Sequence, residues 1–330
     1  MSEQRTTIYS LQAGRALAAI AVVVHHAALA ARDFGGGLRY EDIFSLGYLG
    51  VDFFFVLSGF IIYYSTVGRS KSAADYARSR AVRIYFPYLP IGLAIAILYW
   101  LLPGASLGDR QWNWLTTITL APIGAPALSV AWTLQHEVMF YALFGIFYFS
   151  GRLFLGLFLW FGAIAANGLI GAVDVIPLRP IDLEFLFGVA AAVMAQRGRW
   201  HVAMAPAALI CFVLWGFQGF HRESSVLVGL GFALLVPVIV AAEREQWLRI
   251  PRTYIFLGAA SYSIYLSHGL AISIAARILH GSWVIMIGST LAGVLGGVAY
   301  YLVIERPILN LAGSRKVPAR SKARDEIHAE

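Results

Sequence analysis

Arg15 and His26 stand eleven residues apart in one apolar run, 11–31, which is long enough to cross a bilayer. At about 100° per residue, eleven steps return to within about 20° of the same helix face and rise about 16 Å. A fixed cation and a titratable base therefore line one stripe of a transmembrane helix. Ionisable groups are costly there, so a functional site is the default reading. Such a pair can hold an anionic or polarised group at one end and take up a proton at the other. The bland alternative is an arginine that snorkels to the inner interface and histidines that hydrogen-bond at the outer one. His25 precedes His26 and points about 100° away on a helix.

Further polar residues interrupt apolar segments downstream. Asp52 opens a very apolar helix within Gly47-Tyr-Leu-Gly-Val-Asp-Phe-Phe-Phe-Val-Leu-Ser-Gly-Phe60. A carboxylate near a helix N-terminus is favoured by the dipole, so a structural cap is the alternative to a chemical role. Ser58 and Gly59 lie deep in that helix, where small residues permit close packing. Arg80 and Arg83 are three apart in Arg78-Ser-Arg-Ala-Val-Arg-Ile-Tyr-Phe-Pro87 and share a helix face. Just inside the membrane they can meet a phosphate-bearing ligand; orientation and contact with anionic lipid are the alternatives. Trp132-Thr-Leu-Gln-His-Glu-Val-Met-Phe-Tyr141 sets His136 beside Glu137 in an apolar span, and Glu137 needs a partner or a wet cavity. The two do not face the same way. With no His-x-x-x-His and no cysteine cluster, a metal site is not expected. In Ser261-Tyr-Ser-Ile-Tyr-Leu-Ser-His268, Ser261, Tyr265 and His268 share a face or nearly so. Glu305 is expected to pair with an inner-face arginine, and Pro307 to help stop the last helix. No nucleophile elbow, phosphate-binding glycine loop or dinucleotide fingerprint is present.

The elements that must position these residues are membrane helices. Of 330 residues, 59% are hydrophobic and 13% charged, against about 25% charged in soluble domains. Nine tryptophans within an aromatic content of 14% suit rings at the two interfaces. Ten apolar runs stand out, at 11–31, 46–66, 84–102, 129–149, 152–172, 182–196, 202–220, 224–242, 254–279 and 283–304. The sixth is short and the ninth long. With the N-terminus inside, eighteen Lys and Arg fall on the inner side and six on the outer. That bias is strongly positive-inside, and an even number of spans follows with both termini cytoplasmic. The fold class is thus all-α, a polytopic transmembrane bundle of about ten spans. Residues 1–311 form one domain, and 312–330 a basic cytoplasmic tail expected to be disordered. The first run is read as a retained anchor, not a removed signal. The lone Cys211 excludes an internal disulfide. The net charge of +7 resides in short loops and the tail, a pattern that argues against nucleic acid.

Taken together, these stretches resemble the acyltransferase family 3 proteins, bacterial inner-membrane O-acyltransferases of surface and secreted glycans. Leu11–His26 is similar to the family's opening helix, Gly50–Phe60 to its most recognisable motif, and Arg80–Pro87 to the basic entry into its third helix. Trp132–Tyr141, Ser261–His268 and Glu305–Pro307 follow in the family's order. Three departures stand beside these. Gln12-Ala13-Gly14 occupies the place of the common Asp-Gly-Leu, His25 is an extra histidine, and Gln135-His136 replaces a small or apolar pair. No fused esterase-like domain is expected.

The resemblance implies transfer of an acyl group, acetyl in the first instance, from cytoplasmic acyl-CoA to a hydroxyl of a polysaccharide or glycolipid near the outer side. It implies a catalytic set of His26, Arg15, Glu137 and Asp52, with His26 as general base or acyl carrier. Arg15 would hold CoA or the thioester carbonyl, Glu137 would orient His26 or bind the acceptor, and Asp52 would assist His26 or cap its helix. Arg80, Arg83, Tyr85 and Ser58 would bind the donor. Trp132, His136, Tyr265 and His268 would bind the acceptor, a glycan or lipid-linked sugar. Membrane lipids are partners, and a homo-oligomer is left open. The alternatives are an acyltransferase of a small molecule or lipid and, from another class, a transporter or flippase of a glycan precursor. The paired halves common in transporters are not visible in the sequence.

Overall fold

In a bilayer every backbone polar group must be satisfied within the protein, so long apolar runs fold as helices. The computed structural model describes residues 8–37, 41–105, 111–198, 203–218 and 225–314, and among these it contains helices and no strand. Of the expected tail, 312–330, residues 312–314 belong to the last helix, Arg306–Ser314, and the rest lies outside the described residues. In chain order the helices are α1 (Tyr9–Gly35), α2 (Glu41–Ser45), α3 (Leu49–Thr66), α4 (Ala73–Leu101), α5 (Trp114–Thr119), α6 (Trp132–Phe149) and α7 (Leu153–Ile170). They continue with α8 (Leu183–Gln196), α9 (Met204–Phe217), α10 (Ser225–Arg244), α11 (Arg252–Ile278), α12 (Ser282–Tyr300) and α13 (Arg306–Ser314).

Over its described residues, each of the ten apolar runs maps mainly onto one helix. Among the described residues, seven helices are long and apolar enough to cross a membrane, so the chain is an integral membrane protein. The α6, α8 and α9 helices, at 132–149, 183–196 and 204–217, fall outside that set.

Two local signals were under-read in the sequence. The α4 helix begins at Ala73, well before the apolar run at 84, because Ser72 caps it: its Oγ accepts from the Asp75 N–H at 3.1 Å and donates to Asp75 Oδ2 at 2.8 Å. Arg78, Arg80 and Arg83 therefore stand well inside the helix rather than at its entry. At the other end of the chain, Pro307 does not stop the last helix. The backbone passes through a π turn, Tyr301–Glu305, directly into α13. A proline ring clashes with the carbonyl four residues back in a regular helix, and a widened turn just before it relieves that crowding.

The bundle is built around α11, which packs along both α1 and α12, while α3 lies along α8 and α10 along α9. Glycines set the close crossings. A Cβ on Gly59 would stand 2.0 Å from the Phe185 carbonyl oxygen, and one on Gly188 would stand 1.9 Å from that of Val56. This mutual contact joins α3 to α8 as small residues do in membranes. Gly50 meets Ala18 of α1 in the same way, and Gly258 of α11 meets Gln12. The start of α1 is fixed from α10: the Glu243 carboxylate accepts from the Tyr9 and Ser10 N–H groups, each at 2.8 Å. Arg15 thus sits on a helix anchored at its end and clasped along both flanks.

Candidate functional site

A cavity that opens in part at the protein surface lies between α1, α3, α4, α6 and α11. Arg15, Ser58, Arg83, Glu137, Tyr141, Tyr262 and Tyr265 supply its polar lining. Phe54, Phe55, Leu57 and Ile61 form an apolar wall. Five helices and five of the expected site residues, Arg15, Ser58, Arg83, Glu137 and Tyr265, therefore converge on one space.

The two cations belong to α1 and α4. Arg15 Nε donates to Ser261 Oγ on α11 at 3.1 Å, and Ser261 Oγ donates in turn to the Gly258 carbonyl at 2.8 Å. The charges acting on Arg15 are Arg83, Glu305 and Glu137. Two arginines and two carboxylates thus share a poorly solvated region, which lowers the cost of placing each there. Glu305, delivered by the π turn, accepts from Ser263 Oγ at 2.5 Å. Its hydrogen-bond partner is thus Ser263, where the sequence led us to expect an arginine.

Glu137 is held by hydroxyls. Tyr141 donates to Glu137 Oε1, and Ser58 Oγ lies 2.8 Å from the same oxygen and 2.9 Å from the Tyr141 hydroxyl. Tyr141 is four residues after Glu137, one helical turn on. It was missed in the sequence although that spacing signals it. Tyr262, next to Ser261, was also missed; its hydroxyl donates to the Ile84 carbonyl at 3.1 Å and ties α11 to α4.

Arg80 stands behind this cavity. Its guanidinium lies over the rings of Tyr76 and Tyr141, 5.8 and 5.4 Å from their centroids, and Nη2 donates to Ser65 Oγ at 2.7 Å. Arg80 and Arg83 share the side of α4 that faces Tyr141, but only Arg83 reaches the cavity. Tyr85 points elsewhere, its hydroxyl donating to the Thr119 carbonyl at 2.5 Å. Asp52 is buried in the first turn of α3 and does not line the cavity.

Trp132 and His136 occupy the neighbouring face of α6. His136 Nδ1 lies 2.7 Å from Asp182 Oδ1, both groups buried, which pins the turn before α8 to α6. Trp132 meets His136 edge-on at 5.6 Å. Neither lines the cavity.

Farther along α1, His26 meets His268 of α11. His268 Nε2 is 3.3 Å from His26 Nδ1, and the rings meet edge-on at 4.8 Å. His25 turns its ring toward Tyr48, 5.9 Å away. Tyr265 joins the two regions. It lines the cavity, donates to the Val130 carbonyl at 3.1 Å, and places its ring 5.8 Å from that of His268. The stripe expected from spacing is therefore real in one respect: Arg15 and His26 both meet α11.

The family model described as an acyltransferase domain matches residues 8–303. ExoZ, an exopolysaccharide production protein of Rhizobium meliloti (strain 1021), is 32% identical over 307 residues, covering 84% of this chain and 94% of that protein. The acyltransferase MdmB of Streptomyces mycarofaciens is 25% identical over 370 residues, covering 93% of each. No solved structure matches the chain at a significant level.

Proposed function

The chain belongs to acyltransferase family 3 and is an acyltransferase, and on that premise we propose that it moves an acyl group from cytoplasmic acyl-CoA to a glycan hydroxyl. The acyl group is acetyl in the first instance. The acceptor is an exported or surface polysaccharide or a lipid-linked sugar, in keeping with the name of its exopolysaccharide-production relative. The single observation that carries the mechanism is the placement of Arg15 and His26 along α11 with Tyr265 between them. A cavity that presents two arginines at one level and an imidazole farther along suit an extended donor whose anionic part and reactive thioester are well separated.

In this reading the chain crosses the inner membrane ten times, with both termini in the cytoplasm. Arg83, with Arg80 behind it, receives the phosphates from the inside. Arg15 holds the donor nearer its thioester, and the wall of Phe54, Phe55 and Leu57 takes the pantetheine arm. His26 accepts the proton of the acceptor hydroxyl as that oxygen bonds to the thioester carbonyl carbon. The carbon–sulfur bond breaks, the CoA thiolate leaves, and it recovers the proton from His26. Ester and free CoA result. Glu137, locked by Tyr141 and Ser58, keeps the cavity's charge balanced around the arginines. Asp52 remains the cap or helper of the α1–α3 crossing, and Trp132 and His136 shape the acceptor side from the next face of α6.

The test is acyl transfer from radiolabelled acetyl-CoA to cell glycans in membranes carrying the full chain. His26→Ala is expected to lose about 10²–10⁴-fold in turnover at normal protein level, the usual worth of a general base. His25→Ala is expected to keep most of it. Near wild-type turnover in His26→Ala overturns the assignment. Mass analysis of glycans with and without the gene then identifies the acceptor.

A further inference from the structure

His26 alone does not determine which of its two ring nitrogens reacts. The partners of the histidine pair do. His268 Nδ1 lies 2.7 Å from the Tyr265 carbonyl oxygen and 3.2 Å from that of Ile264. Carbonyl oxygens only accept, so Nδ1 of His268 carries a proton. His26 Nδ1 lies 2.9 Å from the Val22 carbonyl oxygen and 3.3 Å from His268 Nε2. If His268 carried a second proton on Nε2, His26 Nδ1 would have to accept it. Its lone pair would then be directed where Val22 also presents one. Only one assignment of protons makes each of these four contacts a donor–acceptor pair. His268 is neutral with its proton on Nδ1, and His26 carries its proton on Nδ1, donating to Val22 and to His268 Nε2.

We infer that His268 is a positioning residue that locks His26 in its Nδ1–H tautomer and so makes Nε2 the reacting nitrogen. The inference rests on the proposed role of His26. It replaces the expectation that His268 binds the acceptor. His268 is fully buried on α11, and its Nδ1 is committed to its own helix, so its ring cannot turn without breaking those bonds. A ring fixed in this way offers one lone pair at one place. When Nε2 of His26 takes a proton from the acceptor, the same Nδ1–H bond to His268 remains and strengthens with the charge on the ring. Histidines that act as bases are commonly oriented by a second group through the other nitrogen. Here a neutral imidazole takes that place, and it avoids burying another carboxylate. His25 stands differently: its ring meets Tyr48 and the edge of His26.

The experiment compares His268→Leu, His268→Gln, His26→Ala and the double variant His26→Ala/His268→Leu. Each is tested as full chain in membranes with radiolabelled acetyl-CoA as the donor probe, and rates are normalised to folded protein. His268→Leu is expected to lower kcat about 10- to 100-fold, part of the worth of a general base, with KM for acetyl-CoA unchanged. His268→Gln places a carbonyl oxygen where Nε2 stood and is expected to recover most of that loss. Adding His268→Leu to His26→Ala is expected to cost nothing further, since there is no ring left to orient. An unchanged kcat in His268→Leu, a glutamine variant no better than leucine, or additive losses in the double variant overturns the inference. If His26→Ala itself keeps its turnover, the underlying role of His26 has failed and the inference falls with it. If His26→Ala is inactive while His268→Leu is not impaired, the positioning role alone has failed.

Discussion

Arg15 differs from an ordinary buried cation in the geometry of its hydrogen bond. Its Nε–H, not only its charge, is spent on Ser261 Oγ at 3.1 Å. Lysine keeps the charge but has no donor at that place. Arg15→Lys is therefore expected to raise KM for the acyl donor about tenfold or more, the worth of one hydrogen bond to a charged group, while Ser261→Ala raises it less. Donor-saturation curves in membranes check both, and equal KM in wild type and Arg15→Lys would make the guanidinium a simple counter-charge. The spacing of Arg15 and His26 was legible in the sequence because a helix has a fixed pitch. Their partners were not, since Ser261 and His268 lie 246 and 242 residues away in the chain, and only packing brings them close. Tyr141 is the intermediate case: its position one turn after Glu137 was visible, but an aromatic in an apolar helix is uninformative until its hydroxyl is seen to be aimed.

At the scale of elements, the apolar runs marked where helices lie but not where they end or how they cross. The 29 residues of α4 span about 44 Å, more than the roughly 30 Å of a hydrocarbon core. Its arginine-bearing start therefore carries helix structure beyond the apolar run, a feature an apolar-run search cannot detect. The depth of Gly59 in an apolar helix marks it as a packing residue, and its approach to Phe185 agrees; its partner Gly188 carries no signal, being one glycine among 32. The crossing of α3 on α8 positions Ser58 against Glu137, so the two glycines act on the site through the backbone. Gly59→Val and Gly188→Val each force a side chain into a carbonyl. They are expected to destabilise the fold by about 3 kcal/mol or more, beyond ordinary overpacking, because backbone must move. Gly162→Ala on α7, where a Cβ meets nothing within 4 Å, is expected to be neutral or slightly stabilising. Thermal unfolding in detergent measures all three; a Gly188→Val protein with wild-type Tm would mean that the α3–α8 crossing is looser than described.

At the scale of the whole molecule, the direction of the chemistry depends on the direction of the chain. The arginine cluster lies toward the start of α1 and the histidine pair toward its end. Donor delivery from the cytoplasm therefore requires the connection between α3 and α4, with Arg69 and Lys71, to be inside. The segment between α7 and α8, with its exposed Asp174–Arg179 pair at 2.8 Å, must then be outside. Helix lengths alone do not decide this, because a bundle of helices can insert either way; the excess of basic residues on one set of ends is the signal that predicts it. Cys211 is the sole cysteine, so a Cys211→Ala background reports each introduced thiol alone. In intact spheroplasts, a membrane-impermeant maleimide is expected to label Asp174→Cys and to label Ser70→Cys only after permeabilisation. The opposite pattern would place the arginines on the outer side, where no acyl-CoA is available, and would overturn cytoplasmic delivery even if every residue-level contact around Arg15 and His26 were correct. Labelling of both positions from outside would remove a span between them, and with it the even count that puts both termini in the cytoplasm.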